Sequence, residues 1–376
     1  MNEKSVDYRF KVLYAVAMIM VVCSHCYGGG VSVLLNDWFP YMGHHLALFA
    51  FGSGYFYKDS SENNSIRYIG KKIKTLIIPL YVYTIIYGLF VQVMRTKGFT
   101  IGGPFNFHNV VLAPLNDGHQ FVYTTGGWFV VPLFLVEVYT VFVRKLVHKI
   151  SKNVPEIVFL LLSVVLGLVG NTLACNGFTF DWWVVLIRML YFLPFYSFGI
   201  FYNRVLEKYD KLPSFWYFTI LFIIRGAIIY YYGTNIAYIP SWCRDFTEGP
   251  VMPMIIGLLG IALWMRISTV MEPVLGKSKW INLIADNTYS IMMNQFLGFM
   301  FVKTLFAGLS KYAHIFQDFD WASYKSDISW YFKPRSLEYS LIIYVVAGIA
   351  VSIIIQKIID FVKARCCKLI KREVKI

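Results

Sequence analysis

Apolar runs of about 20 residues recur along this chain of 376 residues, and they decide what it can fold into. A helical run of that length crosses the ~30 Å hydrocarbon core of a bilayer. The residues are 57% hydrophobic and only 15% charged, whereas soluble domains carry about 25% charged residues. The sequence therefore predicts an all-α, polytopic integral membrane protein, with one transmembrane domain over residues 1–376.

About ten transmembrane helices are predicted from these runs and from the turn residues between them. The first run follows Lys4, Arg9 and Lys11, and no small-residue cleavage site comes after it. We therefore interpret it as a retained span rather than a signal peptide. The predicted spans are 11–28, 41–57, 73–94, 127–146, 156–173, 184–202, 214–232, 250–269, 284–306 and 338–362.

The basic residues predict the orientation of the bundle. With the N-terminus inside, 25 of the 35 Lys and Arg residues fall in inner segments, as the positive-inside rule requires. The sequence thus predicts cytoplasmic N- and C-termini in a multi-pass protein of the cell membrane. The net charge of +14 is spread over short loops in contact with membrane lipid, which argues against a nucleic-acid partner.

Four ionisable residues interrupt the predicted spans: His25, Glu137, Arg188 and Arg225. Such residues are costly in hydrocarbon and usually mark a functional site. At 1.5 Å per residue, His25 lies ~21 Å from the inner surface and Glu137 ~10 Å, so we do not expect them to bond directly. An intramembrane histidine can also serve only to hydrogen-bond a neighbouring helix.

We predict no metal site at His25. Cys23 and Cys26 flank it, but only residues three or four apart share one helical face. Tyr14 lies eleven residues before His25, about three turns, so these two side chains fall on nearly the same face.

Five patches together resemble the membrane-bound acyltransferase family 3, whose members are ten-span O-acyltransferases that decorate bacterial surface sugars. The first is His25 near the end of the first span. The others are HHLALFAFGSGYFYK (44–58), IRYIGKKIKTLIIPLYVY (66–83), GGWFVVPLFLVEVY (126–139) and NTYSIMMNQFLGF (287–299).

The resemblance carries over residue by residue. His25 matches the family's first-span histidine. The segment 49–54 matches the family's Phe-Phe-x-x-Ser-Gly patch, with one Phe replaced by Ala. Lys71 and Lys74 match the family's pair of basic residues. Trp128 and Glu137 match the Trp and the acidic residue of the fourth span.

Two positions depart from the family pattern. Tyr14 stands where the family usually has Arg or Lys, and Gln295 where the ninth-span pattern often has His. These departures leave open the alternative that the chain is a divergent family member without catalytic activity.

The resemblance implies a cytoplasmic acyl-CoA donor, most simply acetyl-CoA, and a hydroxyl acceptor on a cell-surface polysaccharide or lipid-linked glycan. His25 suits a general base, because the pKa of a histidine lies near neutrality. The expected site residues are His25 and Glu137 as catalytic residues; Arg67, Lys71, Lys74, Ser53, Gly54 and Tyr14 for the donor; and Arg188, Arg225, His44, His45, Trp128 and Gln295 for the acceptor, with no metal.

A transporter or exporter of a glycan or small acid remains the alternative. Transporters of that kind are often built from inverted repeats, and the sequence shows no such self-similarity. Whether the chain forms a homo-oligomer is left open.

Overall fold

A computed structural model describes residues 6–26, 35–233, 238–244, 246 and 248–373, and it is helical almost throughout. Short 3-10 and π-helical turns join several of the α-helices. The α-helices are α1 Tyr8–His25, α2 His45–Tyr55, α3 Ser60–Asn63, α4 Ser65–Lys72, α5 Ile78–Thr96, α6 Ala113–Asn116, α7 Val130–Ile150, α8 Glu156–Cys175, α9 Asp181–Phe201, α10 Ser214–Tyr232, α11 Met252–Leu275, α12 Lys279–Asp286, α13 Thr288–Gly308, α14 Trp321–Ser326 and α15 Leu341–Glu373.

The described residues contain nine helical segments long and apolar enough to cross a membrane, which confirms a polytopic all-helical protein. Residues 27 and 28 of the first predicted span lie outside the described residues. The nine segments are Tyr8–His25, Ser65–Thr96, Thr125–Ile150, Glu156–Cys175, Asp181–Tyr209, Ser214–Tyr232, Met252–Leu275, Thr288–Ala313 and Leu341–Cys366.

The predicted span 41–57 is not among these nine segments, because its helix is shorter than expected. A 3-10 turn over Tyr41–Gly43 delays the regular helix, so that α2 has 11 residues. It still runs antiparallel to most of α1. Its last residue, Tyr55, receives a hydrogen bond from Arg9 at 3.1 Å, and at its other end His45 lines the same cavity as His25.

Proline and glycine mark several helix boundaries. Pro155 and Pro213 are the N-caps of α8 and α10, where a missing N–H costs no helical hydrogen bond. Gly233 ends α10 with φ of +79°, a backbone conformation that other residues adopt only with strain. These are the turn residues from which the sequence predicted 214–232, and α10 has those bounds.

Glycines let α9 approach α2 closely. A Cβ on Gly54 would collide with the carbonyl oxygen of Tyr196, and a Cβ on Gly199 would collide with the carbonyl oxygen of Phe51. Small residues are the usual means by which membrane helices bring their backbones together, because burial against lipid-like surfaces supplies little driving force.

Charged residues form a partly buried network at the end of the bundle where α1 begins. Arg144 contacts Glu62 at 3.3 Å and Glu156 at 2.6 Å, and Arg204 contacts Glu156 and Asp59 at 2.5 Å each. The network therefore ties the segment around α3 to α7, α8 and the chain after α9.

We expect Gly54→Leu to destabilise the protein by about 1–3 kcal/mol or more, because the new side chain must push α9 away from α2. The apparent melting temperature of the detergent-purified protein would measure this. Gly226→Leu in α10 is the matched control, because a Cβ there meets nothing within 4 Å. Equal melting temperatures for the two variants would contradict the close α2–α9 contact.

Candidate active site

A cavity of about 620 Å³ lies among the helices and the segments that connect them at the end of the bundle where α1 finishes. We call it the central cavity. Tyr14, Met18, Val21 and His25 of α1 all line it, as expected for residues on one helical face. Most of its wall is apolar, so a polar group inside it is poorly screened by water.

Two hydrogen bonds define how the His25 ring is held. Its Nδ1 lies 3.1 Å from Oε1 of Gln295, while Nε2 of Gln295 donates to the carbonyl oxygen of Met292 at 3.2 Å. Because a carbonyl oxygen only accepts, the second bond assigns Oε1 to face His25. Oε1 also only accepts, so Nδ1 carries the proton and Nε2 of the neutral ring has a free lone pair.

The backbone of His25 is fixed as well. The hydroxyl of Tyr331 donates to its carbonyl oxygen at 2.7 Å. Tyr331 belongs to the segment between α14 and α15, so this loop holds the end of α1 in place. The arrangement is that of an oriented base, with one ring nitrogen occupied and the other free.

A second cavity, of about 940 Å³, opens at the end of the bundle where α1 begins. We call it the basic mouth, because Arg67, Lys71, Lys72 and Lys74 all line it. Tyr14 and Ser53 line both cavities, so the two hollows meet at these side chains. At this junction the Tyr14 ring stacks on Phe49 with centroids 5.6 Å apart.

Three cations of the basic mouth have no carboxylate partner among the described residues: Arg67, Lys71 and Lys74. Their spacing of four and three residues places them on one helical face. Elsewhere at this end, basic side chains such as Arg9 and Arg144 are paired with carboxylates. The basic mouth therefore keeps positive charge available for an anion.

Glu137 lies close to the basic mouth and does not contact His25. Its Oε1 accepts from Nζ of Lys72 at 2.5 Å. The Glu137 side chain is 2% exposed and that of Lys72 is 26% exposed. This contact fits the depths expected from the sequence, and it makes Glu137 a residue that positions a lysine of the basic mouth.

Several predicted site residues do line the central cavity. His45 does so, with Nδ1 bonded to the carbonyl oxygen of Tyr41, and so does Trp128. Ser53 and Tyr14 lie at the junction of the two cavities. The structure thus brings these four residues together with His25 around the central cavity, and two of them also line the adjoining basic mouth.

The other predicted residues lie outside the linings of both cavities. Gly54 packs against α9, and Nε2 of His44 accepts from the indole of Trp264 at 2.9 Å. Arg188 and Arg225 are buried and donate to backbone carbonyls of connecting segments, Arg225 to Trp38. These contacts give the two arginines a role in holding loops.

Sequence reasoning missed His119, which lines the central cavity from the segment before α7. Its Nδ1 lies 2.9 Å from Oδ1 of Asp117, and its ring stacks on Trp242 with centroids 4.1 Å apart. The Asp-Gly-His run at 117–119 was a local signal for the pair. The stacking on Trp242 depends on a long-range contact that the sequence does not reveal.

A family model described as an acyltransferase domain matches residues 7–357 of the chain. The chain belongs to the acyltransferase 3 family. No curated protein and no solved structure matches it. Membership in this family implies an acyl donor, and it makes the protein a membrane acyltransferase.

The structure shows what Gln295 does at the position where it departs from the family pattern. Where the family pattern often has His, this acyltransferase has the residue that bonds Nδ1 of His25. An amide oxygen can orient an imidazole as well as another ring can, because both supply a hydrogen-bond acceptor. The departure therefore leaves His25 with an oriented, unprotonated Nε2.

We expect Lys72→Met to destabilise the protein more than Glu137→Gln. The first change leaves a deeply buried carboxylate without its cation, at a cost of about 3–5 kcal/mol. The second leaves an ammonium group that can reach water along its flexible stem. Apparent melting temperatures of both variants would measure the difference.

The double variant and a lysine control make this test specific. Adding Glu137→Gln to Lys72→Met should recover most of the lost stability, because no unpaired buried charge remains. Lys71→Met, without an ion-pair partner in the described structure, should change stability by less than about 0.5 kcal/mol. Additive losses in the double variant would contradict the pairing.

Proposed function

We propose that the protein is an O-acyltransferase that takes an acyl group from acyl-CoA at the basic mouth and transfers it to a hydroxyl that enters from the opposite end. The observation that carries the proposal is the shared lining of the two cavities at Tyr14 and Ser53. It places a cationic opening next to the cavity that His25 lines. A thin pantetheine arm could pass from one to the other while the charged nucleotide stays outside.

The donor end has the chemistry that a CoA nucleotide needs. Arg67, Lys71 and Lys74 present positive charge on one helical face, and none of them has a carboxylate partner among the described residues. Arginine binds phosphate in a bidentate manner and lysine binds it as a point charge. The positive-inside distribution supports a cytoplasmic position for this end, where acyl-CoA is made.

The reaction at His25 follows from its tautomer. Nε2 takes the proton from the acceptor hydroxyl as the oxygen attacks the thioester carbonyl. The carbon–sulfur bond then breaks, and the CoA thiolate receives the proton from Nε2 to leave as a thiol. The Gln295 amide keeps Nδ1–H in place during this cycle, so the ring need not turn.

The acyl group is proposed to be acetyl and the acceptor a sugar hydroxyl of a bacterial surface polysaccharide or lipid-linked glycan. The enzyme would act in the cytoplasmic membrane. The resemblance to surface-glycan acyltransferases supports this choice, and so does the polar end of the central cavity, where Ser241, Ser329 and His119 lie. A transporter would also need a passage through the bundle. The experiment must therefore distinguish consumption of acyl-CoA from movement of a glycoside across the membrane.

We expect His25→Ala to lower acyl transfer by 10²- to 10⁴-fold, the usual contribution of a general base. Protein in lipid nanodiscs would be given acetyl-CoA and a panel of methyl glycosides, with sugar ester and free CoA measured. His108→Ala is the matched control, because His108 is exposed and lines neither cavity.

Two results would count against the proposal. Ester formation that survives His25→Ala at the wild-type rate would remove the role of His25. Wild-type protein that consumes no acyl-CoA, but moves glycosides across liposome membranes, would favour the transporter.

We expect the double variant Lys71→Gln/Lys74→Gln to raise KM for acetyl-CoA roughly tenfold, because two phosphate contacts of at most ~1 kcal/mol each are lost. The effect should shrink at high salt, which screens exposed charges. Lys149→Gln/Lys152→Gln removes the same charge from exposed positions outside both cavities. An equal rise in KM for this control would show that only net charge matters.

A further inference from the structure

His119 lines the central cavity and does not line the basic mouth. It comes from the segment that connects α6 to α7, at the end of the bundle where α1 finishes. Pro240, Ser241 and Trp242 line the same cavity, from the turn between α10 and α11. Both segments therefore face the cavity that His25 lines.

One buried guanidinium joins the two segments. Arg188 of α9 is 2% exposed and donates to the carbonyl oxygens of Asn116 at 3.3 Å and Asp117 at 3.2 Å, and also to that of Ser241. Its guanidinium lies 5.0 Å from the centre of the Trp128 ring. Nη1 and Nη2 of Arg188 thus tie both segments to α9, whereas its buried Nε has no hydrogen-bond partner among the described residues.

The His119 ring is oriented from two directions. Asp117 accepts from Nδ1 at 2.9 Å, and Trp242 stacks on the ring with an interplanar angle of 16°. Burial acts to raise the pKa of Asp117, but the hydrogen bond from His119 and the nearby positive charge outweigh it and lower that pKa. A charged carboxylate only accepts, so Nδ1 of His119 carries a proton, and Nε2 is free to accept whenever the ring is neutral.

We propose that His119 is an acceptor-binding residue, whose Nε2 receives a hydrogen bond from a second hydroxyl of a polyol while the reacting hydroxyl lies at His25. Sugars carry neighbouring hydroxyls, and two oriented imidazoles in one cavity suit such a molecule. Asp117 acts through His119 as a positioning residue. The proposal rests on the proposed function, and it deepens that function by assigning a subsite that selects polyols over water.

The partition of acyl groups between glycoside and water tests this subsite. Wild-type protein in nanodiscs would receive acetyl-CoA with methyl hexosides, and the ratio of ester formed to acetate released would be measured. His119→Ala should lower this ratio about tenfold, the effect of losing one hydrogen bond at the upper end of the usual range. A protein that is merely less stable would lose both products together and keep the ratio.

Asp117→Ala provides a second variant, because it removes the group that accepts from Nδ1 of His119. The ratio should therefore fall for Asp117→Ala as it does for His119→Ala. Asp117→Asn keeps an amide oxygen that can accept from Nδ1, so it should retain most of the ratio. His108→Ala, from the same connecting region but exposed, should leave the ratio unchanged.

Saturation-transfer NMR with the same methyl hexosides separates the subsite from the chemistry. Binding signals should weaken in His119→Ala and persist in His25→Ala. Binding that depends on His119, in a protein without acyl-CoA turnover, would contradict the proposed function and support the subsite. An unchanged product ratio, or unchanged NMR signals, in His119→Ala would overturn the subsite while turnover by wild-type protein upholds the function.

Discussion

The close contact between α2 and α9 allows one short helix to line a hollow inside a bundle surrounded by lipid. Gly54 and Gly199 let the two backbones meet without intervening side chains. The opposite face of α2 is then free to present His45, Phe49 and Ser53, spaced four residues apart, to the cavities. Since small residues provide the main route to tight packing between membrane helices, filling this contact with larger side chains would move the wall that α2 contributes to the central cavity.

Groups buried away from water must find partners inside the protein, and the histidines of the central cavity meet this need in one way. The Nδ1 of His25 bonds Gln295, that of His45 bonds the carbonyl oxygen of Tyr41, and that of His119 bonds Asp117. When a ring is neutral, this contact leaves its Nε2 unprotonated. The same contacts therefore satisfy one nitrogen of each ring and leave the other able to accept a hydrogen bond.

Local patterns in the sequence predict the spans and one wall of the site, since both depend on helical periodicity. The spacing of Tyr14 and His25 placed them on one face, and both line the central cavity. Periodicity could not reveal that Arg188 binds loop carbonyls, because its partners lie some 50 to 70 residues away. Nor could a count of basic residues distinguish the paired Lys72 from the unpaired Lys71. The length of α2 was overestimated because hydropathy does not register the 3-10 turn at Tyr41–Gly43.

The residues that orient His25 and His119 differ in charge, and this difference matches how far water reaches each of them. Gln295 is fully buried, and a carboxylate at its position would have to be desolvated. A neutral amide gives His25 the same orientation without that cost. Asp117, whose side chain is 41% exposed, can remain charged because water solvates it. The charged orienting group, Asp117, therefore lies where water reaches it, and the neutral one, Gln295, lies where water is excluded.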